Sequence, residues 1–164
     1  MKKLLASAGI GAALIAGSAS AQTDTSNMNI SATVTATCAI EAANALNFGE
    51  VGNTSANVDA TTTIDLKCND GAAFNIAIGA GGSTGATTTT RAMDEDGAGT
   101  DTLTYHLFTD AERSTNWGDS AGVDTRSGTG TGTTESIDVF GRVPVQAAPA
   151  AGTYSDTVVV TVNF

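Results

Sequence analysis

The feature that most constrains this chain is an alternating apolar pattern near its C-terminal end, in residues 153–164. One face of this segment carries only apolar side chains, which are Val158, Val160, Val162 and Phe164. A period of two predicts a β-strand with one buried face. Because no later segment follows in this sequence to pair with it, we expect its free edge to be covered by another chain and used for assembly.

The first residues have the order of a secretory signal. Two lysines precede an apolar run over residues 4–16, and the small residues Ala19-Ser20-Ala21 follow it. We therefore expect residues 1–21 to be a signal peptide that is cleaved after Ala21. The mature chain would then begin at Gln22 rather than at a cysteine, so we expect no bacterial lipid anchor.

Composition limits both the partners and the fold class. The chain has 17 acidic and 7 basic side chains, which argues against nucleic acid or an anionic membrane as a partner. Its apolar residues alternate with threonine instead of recurring every three to four positions, and this favours strands over helices. About seven short strands separated by Gly/Thr-rich loops predict an immunoglobulin-like β-sandwich.

The only two cysteines are Cys38 and Cys68. A secreted chain folds in an oxidising compartment, so we predict that they form one disulfide. The alternative of a zinc site lacks the additional, closely spaced ligands that such a site needs.

The same alternation predicts further strands, which in chain order are residues 28–34, 61–68, 74–78, 103–108 and 136–143. Asn69-Asp70-Gly71 predicts a turn, and we expect it to join two of these strands as a hairpin. Residues 79–101 are rich in Gly, Thr and acid, and we interpret them as a long exposed connection. The strand at residues 28–34 spans about 20 Å. On pattern alone it could simply be the first strand of its own domain.

Three features are candidate sites. The acidic segment at residues 94–101 has its glycine at the fourth position, whereas a calcium loop needs one at the sixth, so a solvated turn is predicted. His106 is the only histidine, and no Ser-His-Asp arrangement surrounds it in sequence. Trp117 could stack on a sugar, but we expect it to pack over one end of the sandwich. We therefore expect no enzyme activity, no metal and no cofactor.

Four separated segments, in the right order, resemble the spore coat protein U domain, the subunit of archaic, Csu-type chaperone-usher pili. They are Leu46-Asn47-Phe48-Gly49, residues 105–113 with Trp117-Gly118-Asp119, residues 139–144, and residues 152–164.

The resemblance implies an all-β, incomplete immunoglobulin-like β-sandwich that lacks its last strand and is completed by donor-strand exchange. The sandwich would be residues 37–164, and residues 22–36 would be a donor segment that enters the next subunit. The inserted side chains would be Met28, Ile30, Ala32 and Val34. The edge of the acceptor groove would be formed by Val158, Val160, Val162 and Phe164.

The resemblance also implies a structural shaft subunit that polymerises head-to-tail with identical or related pilins. Its other partners would be a periplasmic chaperone and an outer-membrane usher, with no nucleic acid and no small-molecule substrate. The protein would pass through the periplasm to a fimbrium on the cell surface and support attachment and biofilm formation. The alternative that the residues leave open is a secreted, monomeric β-sandwich that binds carbohydrate through Trp117 and the acidic loop.

Overall fold

The computed structural model describes residues 21–52, 55–97 and 99–164. The predicted signal peptide lies outside the described residues except for Ala21. The chain divides into two compact units, Met1–Thr33 and Val34–Phe164. The described part of the first unit, residues 21–33, forms neither helix nor strand, and its side chains are exposed. The strand predicted over residues 28–34 is thus not formed within the single chain.

The second unit consists of β-strands joined by turns and loops, and the described residues contain no helix. In chain order the strands are β1 (Cys38–Ala43), β2 (Val58–Cys68), β3 (Ala73–Ile78), β4 (Arg91–Glu95), β5 (Thr102–Phe108), β6 (Arg126–Thr129), β7 (Thr134–Val143), β8 (Tyr154–Ser155) and β9 (Val160–Asn163). Accordingly, the described residues include no helix that is long and apolar enough to cross a membrane.

The strands form two antiparallel sheets with a shared core. One sheet has the order β1-β2-β7-β5-β4-β8 and the other has the order β6-β3-β9. Alternate residues of β2, β3, β5 and β7 point inward, as their sequence periodicity predicts. The buried apolar cluster is formed by Ile64, Leu66, Cys68, Ala72, Phe74, Ile76, Ile78, Leu103, Tyr105, Leu107, Trp117, Val139 and Val143.

The turn predicted at Asn69-Asp70-Gly71 is present, but the predicted hairpin is wrong. Gly71 has a φ of 77°, a conformation that favours glycine. However, β2 pairs with β1 and β7, whereas β3 pairs with β6 and β9 in the other sheet. Both strands carry one strongly apolar face, and two such faces bury each other best from opposite sheets of a sandwich.

The C-terminal alternation forms two short strands in different sheets, not the single strand predicted over residues 153–164. β8 pairs with β4 and β9 pairs with β3, so residues 156–159 cross from one sheet to the other. Val158, Val160 and Val162 pack against the core, whereas Val159 is 70% exposed. Phe164, predicted to share the apolar face, is 60% exposed.

The connection predicted to be exposed at residues 79–101 contains β4, which pairs on both sides, with β5 and with β8. Its first residue, Arg91, is fully buried. Its guanidinium donates hydrogen bonds to the backbone carbonyls of Ile78, Gly79, Thr88 and Trp117. Arg91 therefore fastens the longer sheet to the end of β3 in the shorter one.

The predicted disulfide is confirmed. Cys38 and Cys68 are bonded, and they face each other in the register of β1 and β2. The bond therefore ties the terminal strand of the longer sheet to a strand that pairs on both sides.

Replacing both cysteines, as Cys38→Ala with Cys68→Ala, is expected to lower the free energy of unfolding by about 3 to 4 kcal/mol, because the unfolded chain gains entropy when a 30-residue link is opened. Urea unfolding measures this loss. The wild-type chain under reducing conditions is the control and should match the double variant. Equal unfolding midpoints for the oxidised wild type and the variant would contradict the prediction.

Candidate functional site

Strand β9 has one unpaired edge. It pairs with β3, and the N–H of Gly79 donates to the carbonyl of Val159 at 2.9 Å. In an antiparallel pair, alternate residues direct their backbone groups to opposite edges. Val160 and Val162 therefore direct their N–H and C=O groups away from β3, to an edge where no other strand of the described residues pairs. Such an edge is a template for an added strand.

Strand β1 ends the longer sheet and lies close to β9. It pairs with β2 on one side only. The two sheets of the sandwich are thus not bridged by a strand along the side where β1 and β9 approach each other.

A groove of about 400 Å³ opens along this side. One wall is formed by residues 43–46 with Phe48, and the other by residues 156–158 with Val160. Apolar core residues contribute to its floor, among them Ile64, Ile78, Met93, Tyr105, Leu107 and Val139. The groove thus reaches into the hydrophobic core, which a complete sandwich would enclose.

Asp156 is the charged residue of the groove lining. Its carboxylate accepts hydrogen bonds from the Tyr105 hydroxyl at 2.6 Å and from the N–H groups of Gly82 and Thr157 at 2.8 and 2.7 Å. Burial, reinforced by the hydrogen bond to Asp156, raises the pKa of Tyr105. The hydroxyl is therefore protonated at neutral pH and serves as the donor in this pair.

The predicted acceptor residues are only partly gathered at this groove. Val158 and Val160 line it, whereas Val162 packs against the core further along β9 and Phe164 is largely exposed. The alternation of apolar residues does not predict the opposite wall, nor does it mark Tyr105 and Asp156 as groove residues. The signal for them was present in the family-like segments, which include Leu46, Phe48, Tyr105 and Asp156.

The predicted donor residues are solvent-exposed. Met28, Ile30 and Val34 are 83%, 88% and 83% exposed, and Ala32 is also exposed. The chain thus presents a run of alternating apolar side chains in a segment that forms no strand.

The other candidate site residues, Trp117 and His106, contact the backbone of the sandwich itself. The Trp117 ring is fully buried and its Nε1–H donates to the carbonyl of Ile76, so it cannot stack on a sugar in this conformation. His106 is half-buried, and its Nδ1 lies 2.9 Å from the carbonyl of Thr89. No group of three or more His, Cys, Asp or Glu side chains that could hold a metal occurs in the part of the chain that the structure describes.

Comparison with known proteins agrees with this architecture. The family profile of the Spore Coat Protein U domain matches residues 24–161. The chain belongs to the Spore Coat Protein U domain family. One relative of this chain is "Protein U" of Myxococcus xanthus, which is 34% identical to it over 179 aligned residues. The alignment covers 100% of this chain and 98% of the relative.

A solved structure also resembles this Spore Coat Protein U domain. It is a chain of the CsuC–CsuE chaperone–tip adhesion subunit pre-assembly complex from the archaic chaperone-usher Csu pili of Acinetobacter baumannii. The TM-score is 0.54 at 25% identity, and the match covers 80% of this chain. The chain spans about 40% of that solved chain. The predicted family and the predicted all-β fold are therefore confirmed, and the similarity is consistent with the predicted immunoglobulin-like sandwich.

Proposed function

We propose that this Spore Coat Protein U domain protein is a structural subunit of an archaic chaperone-usher pilus that polymerises by donor-strand complementation. The observation that carries the proposal is the groove that reaches the core beside the unpaired edge of β9. An added strand would satisfy the backbone groups of Val160 and Val162 and cover the apolar floor with its own side chains.

Residues 28–34 have the properties that such a strand needs. These seven residues nearly match the eight of the crossover and β9, residues 156–163, and their apolar side chains are exposed in the single chain. Burial of Met28, Ile30 and Val34 would contribute on the order of 1.5 to 3 kcal/mol each, in addition to the backbone hydrogen bonds. Ala32 contributes less because it is small.

The assembly that follows is an open fibre. The donor segment and the groove are different surfaces of one chain, so a contact between two copies leaves one donor and one groove free. Such a heterologous contact does not close on itself and extends head-to-tail. A subunit with both elements can continue the fibre in both directions, as a subunit of the shaft must.

The partners follow from the same proposal. Besides other pilins, they are a periplasmic chaperone that covers the groove before assembly and an outer-membrane usher. The support is that the similar solved chain comes from a complex described as a chaperone–tip adhesion subunit pre-assembly complex of Csu pili. The signal-like sequence of residues 1–21 fits export through the periplasm to a fimbrium, where the fibre would support attachment and biofilm formation.

Deletion of residues 22–36 tests this function. We expect electron microscopy and size-exclusion chromatography to show fibres or long polymers of the wild-type chain and none of the deleted chain. The deleted chain should still bind a synthetic peptide that copies residues 22–36, because its groove is intact. If the wild-type chain stays monomeric, and the deletion changes nothing, the proposed pilus function is excluded.

A further inference from the structure

The groove has an apolar floor but does not collapse. Contact between its two walls would remove apolar surface from water, and this provides a driving force for closure. The walls must therefore be held apart by other interactions, which the described residues identify.

The wall formed by residues 43–46 is fixed to β2. The N–H of Asn44 donates to the carbonyl of Thr63 at 3.1 Å, and its side-chain Nδ2 donates to the Thr63 hydroxyl at 2.9 Å. The Thr62 hydroxyl in turn donates to the carbonyl of Asn44. Because β2 pairs on both sides, this wall rests on a rigid part of the longer sheet.

The opposite wall is held by the Asp156 carboxylate and by one backbone hydrogen bond. Residues 156–159 belong to no strand, and the carbonyl of Val159 accepts a hydrogen bond from the N–H of Gly79. The Asp156 carboxylate binds Tyr105 of β5 in the longer sheet and Gly82 in the loop that follows β3 of the shorter sheet. The backbone at Gly81 leaves room for the Asp156 carboxylate. Gly81 has a φ of +96°, and a Cβ at this position would lie 2.0 Å from the Asp156 carboxylate.

Tyr105 links the two walls across the floor. Its ring lies 6.2 Å from the ring of Phe48, between centroids, on one wall. Its hydroxyl binds Asp156 on the other wall. The Tyr105 side chain thus contacts both walls of the groove.

We propose that Asp156 and Tyr105 are positioning residues that hold the groove open for the donor segment. The inference rests on the proposed function, because it assigns these residues a role in donor uptake. Without the Asp156–Tyr105 contact, residues 156–158 can move onto the apolar floor, and fewer molecules have an open groove at any moment. Donor uptake slows in proportion to that fraction. A bound donor keeps the walls apart by itself, so its release is little affected.

The experiment uses the chain that lacks residues 22–36, so that no donor segment of another copy fills the groove, and an excess of a fluorescent synthetic peptide that copies these residues. This chain without a further substitution serves as the wild type. For Asp156→Asn we expect peptide association to slow by about tenfold, while the dissociation rate stays within about twofold of the wild-type value. Tyr105→Phe, which removes only the hydroxyl, should slow association in the same direction to a smaller extent. A variant that was only less stable would not slow peptide association while leaving the dissociation rate unchanged.

Asp110→Asn is the matched control. Asp110 also accepts backbone hydrogen bonds, from the N–H groups of Ser114 and Thr115, but it does not line the groove. We expect this variant to take up the peptide at the wild-type rate.

The outcomes separate the two proposals. If the wild-type chain does not take up the peptide, the proposed function fails. If the wild type takes it up and Asp156→Asn does so equally fast, or if Asp110→Asn is slowed as much, the positioning role is overturned. If Asp156→Asn does not fold, Tyr105→Phe decides: slower association supports the role, and wild-type association by a folded Tyr105→Phe chain overturns it.

Discussion

Ile30→Asp is expected to abolish polymerisation, whereas Ser31→Asp, one residue along, is expected to leave polymers intact. Successive side chains of a strand point to opposite faces, so Ile30 would enter the groove of the next subunit and Ser31 would face solvent. A carboxylate that lacks a partner in an apolar groove is strongly unfavourable, because it loses its hydration. Size-exclusion chromatography and electron microscopy of the secreted chains measure the result.

The two variants form a matched pair. They add the same charge to the same exposed segment, so export, net charge and stability of the folded unit should change equally. Polymers of Ile30→Asp would contradict the proposal that Ile30 is buried in a neighbouring subunit. If Ser31→Asp blocked polymers and Ile30→Asp did not, the face that enters the groove would be the opposite one.

The sequence predicted the faces of the strands well, because period-two alternation is a local signal. Ile64 and Leu66 of β2, and Leu103, Tyr105 and Leu107 of β5, lie in the core as their alternation indicates. Val158 and Val160 likewise face the core side of their segment. Alternation determines which side of a strand is apolar, whatever strand it pairs with.

Strand partners and sheet membership could not be obtained in this way. The residues of the turn after Cys68 are typical of a hairpin, yet β3 belongs to the other sheet. Similarly, a continuous alternation over residues 153–164 hides a change of sheet at residues 156–159. Both are decided by long-range contacts, such as the Asp156 carboxylate with Tyr105 and Gly82, which no local pattern encodes.

The candidate site was predictable only in part for a related reason. A groove is the space left between segments that are distant in sequence, here residues 43–48 and 156–160. The alternation of residues 158–164, with no later segment to pair with it, predicted one wall. The other wall was not predicted, because its apolar residues have no period that marks a groove. The alternation of β5 predicts that Tyr105 faces inward, but not that it lines a groove.

Arg91 shows most clearly what sequence patterns miss, and it leads to a second large effect. It lies in a Gly/Thr-rich connection that is typical of a surface loop, yet its side chain is fully buried. Desolvation lowers the pKa of its guanidinium, and the nearby Tyr105 and Asp119 partly oppose this shift. An arginine nevertheless stays charged in a protein. Its charge is therefore held by the four backbone carbonyls that it binds at 2.6 to 2.8 Å.

Arg91→Met is expected to lower the free energy of unfolding by about 4 kcal/mol or more, because each buried acceptor that loses its donor costs about 1 to 3 kcal/mol. Methionine fills a similar space but cannot donate to the carbonyls. Arg91→Lys should lose less stability than Arg91→Met, because its ammonium keeps the charge. It should still be less stable than the wild type, because it reaches only some of the four acceptors. Urea unfolding, followed by the fluorescence of the single tryptophan, Trp117, measures both variants.

Arg142→Met is the control, since Arg142 forms a partly exposed ion pair with Asp59 at 2.7 Å. Such pairs contribute only about 0 to 1 kcal/mol, so a small loss is expected there. If Arg91→Met cost no more than Arg142→Met, water or other donors would be satisfying the carbonyls, and the guanidinium would not fasten β4 to the shorter sheet. If Arg91→Lys were as stable as the wild type, a point charge at this position would be sufficient to hold the four carbonyls. The expected order, with methionine worst and lysine between it and the wild type, requires both the charge and the forked geometry of the arginine.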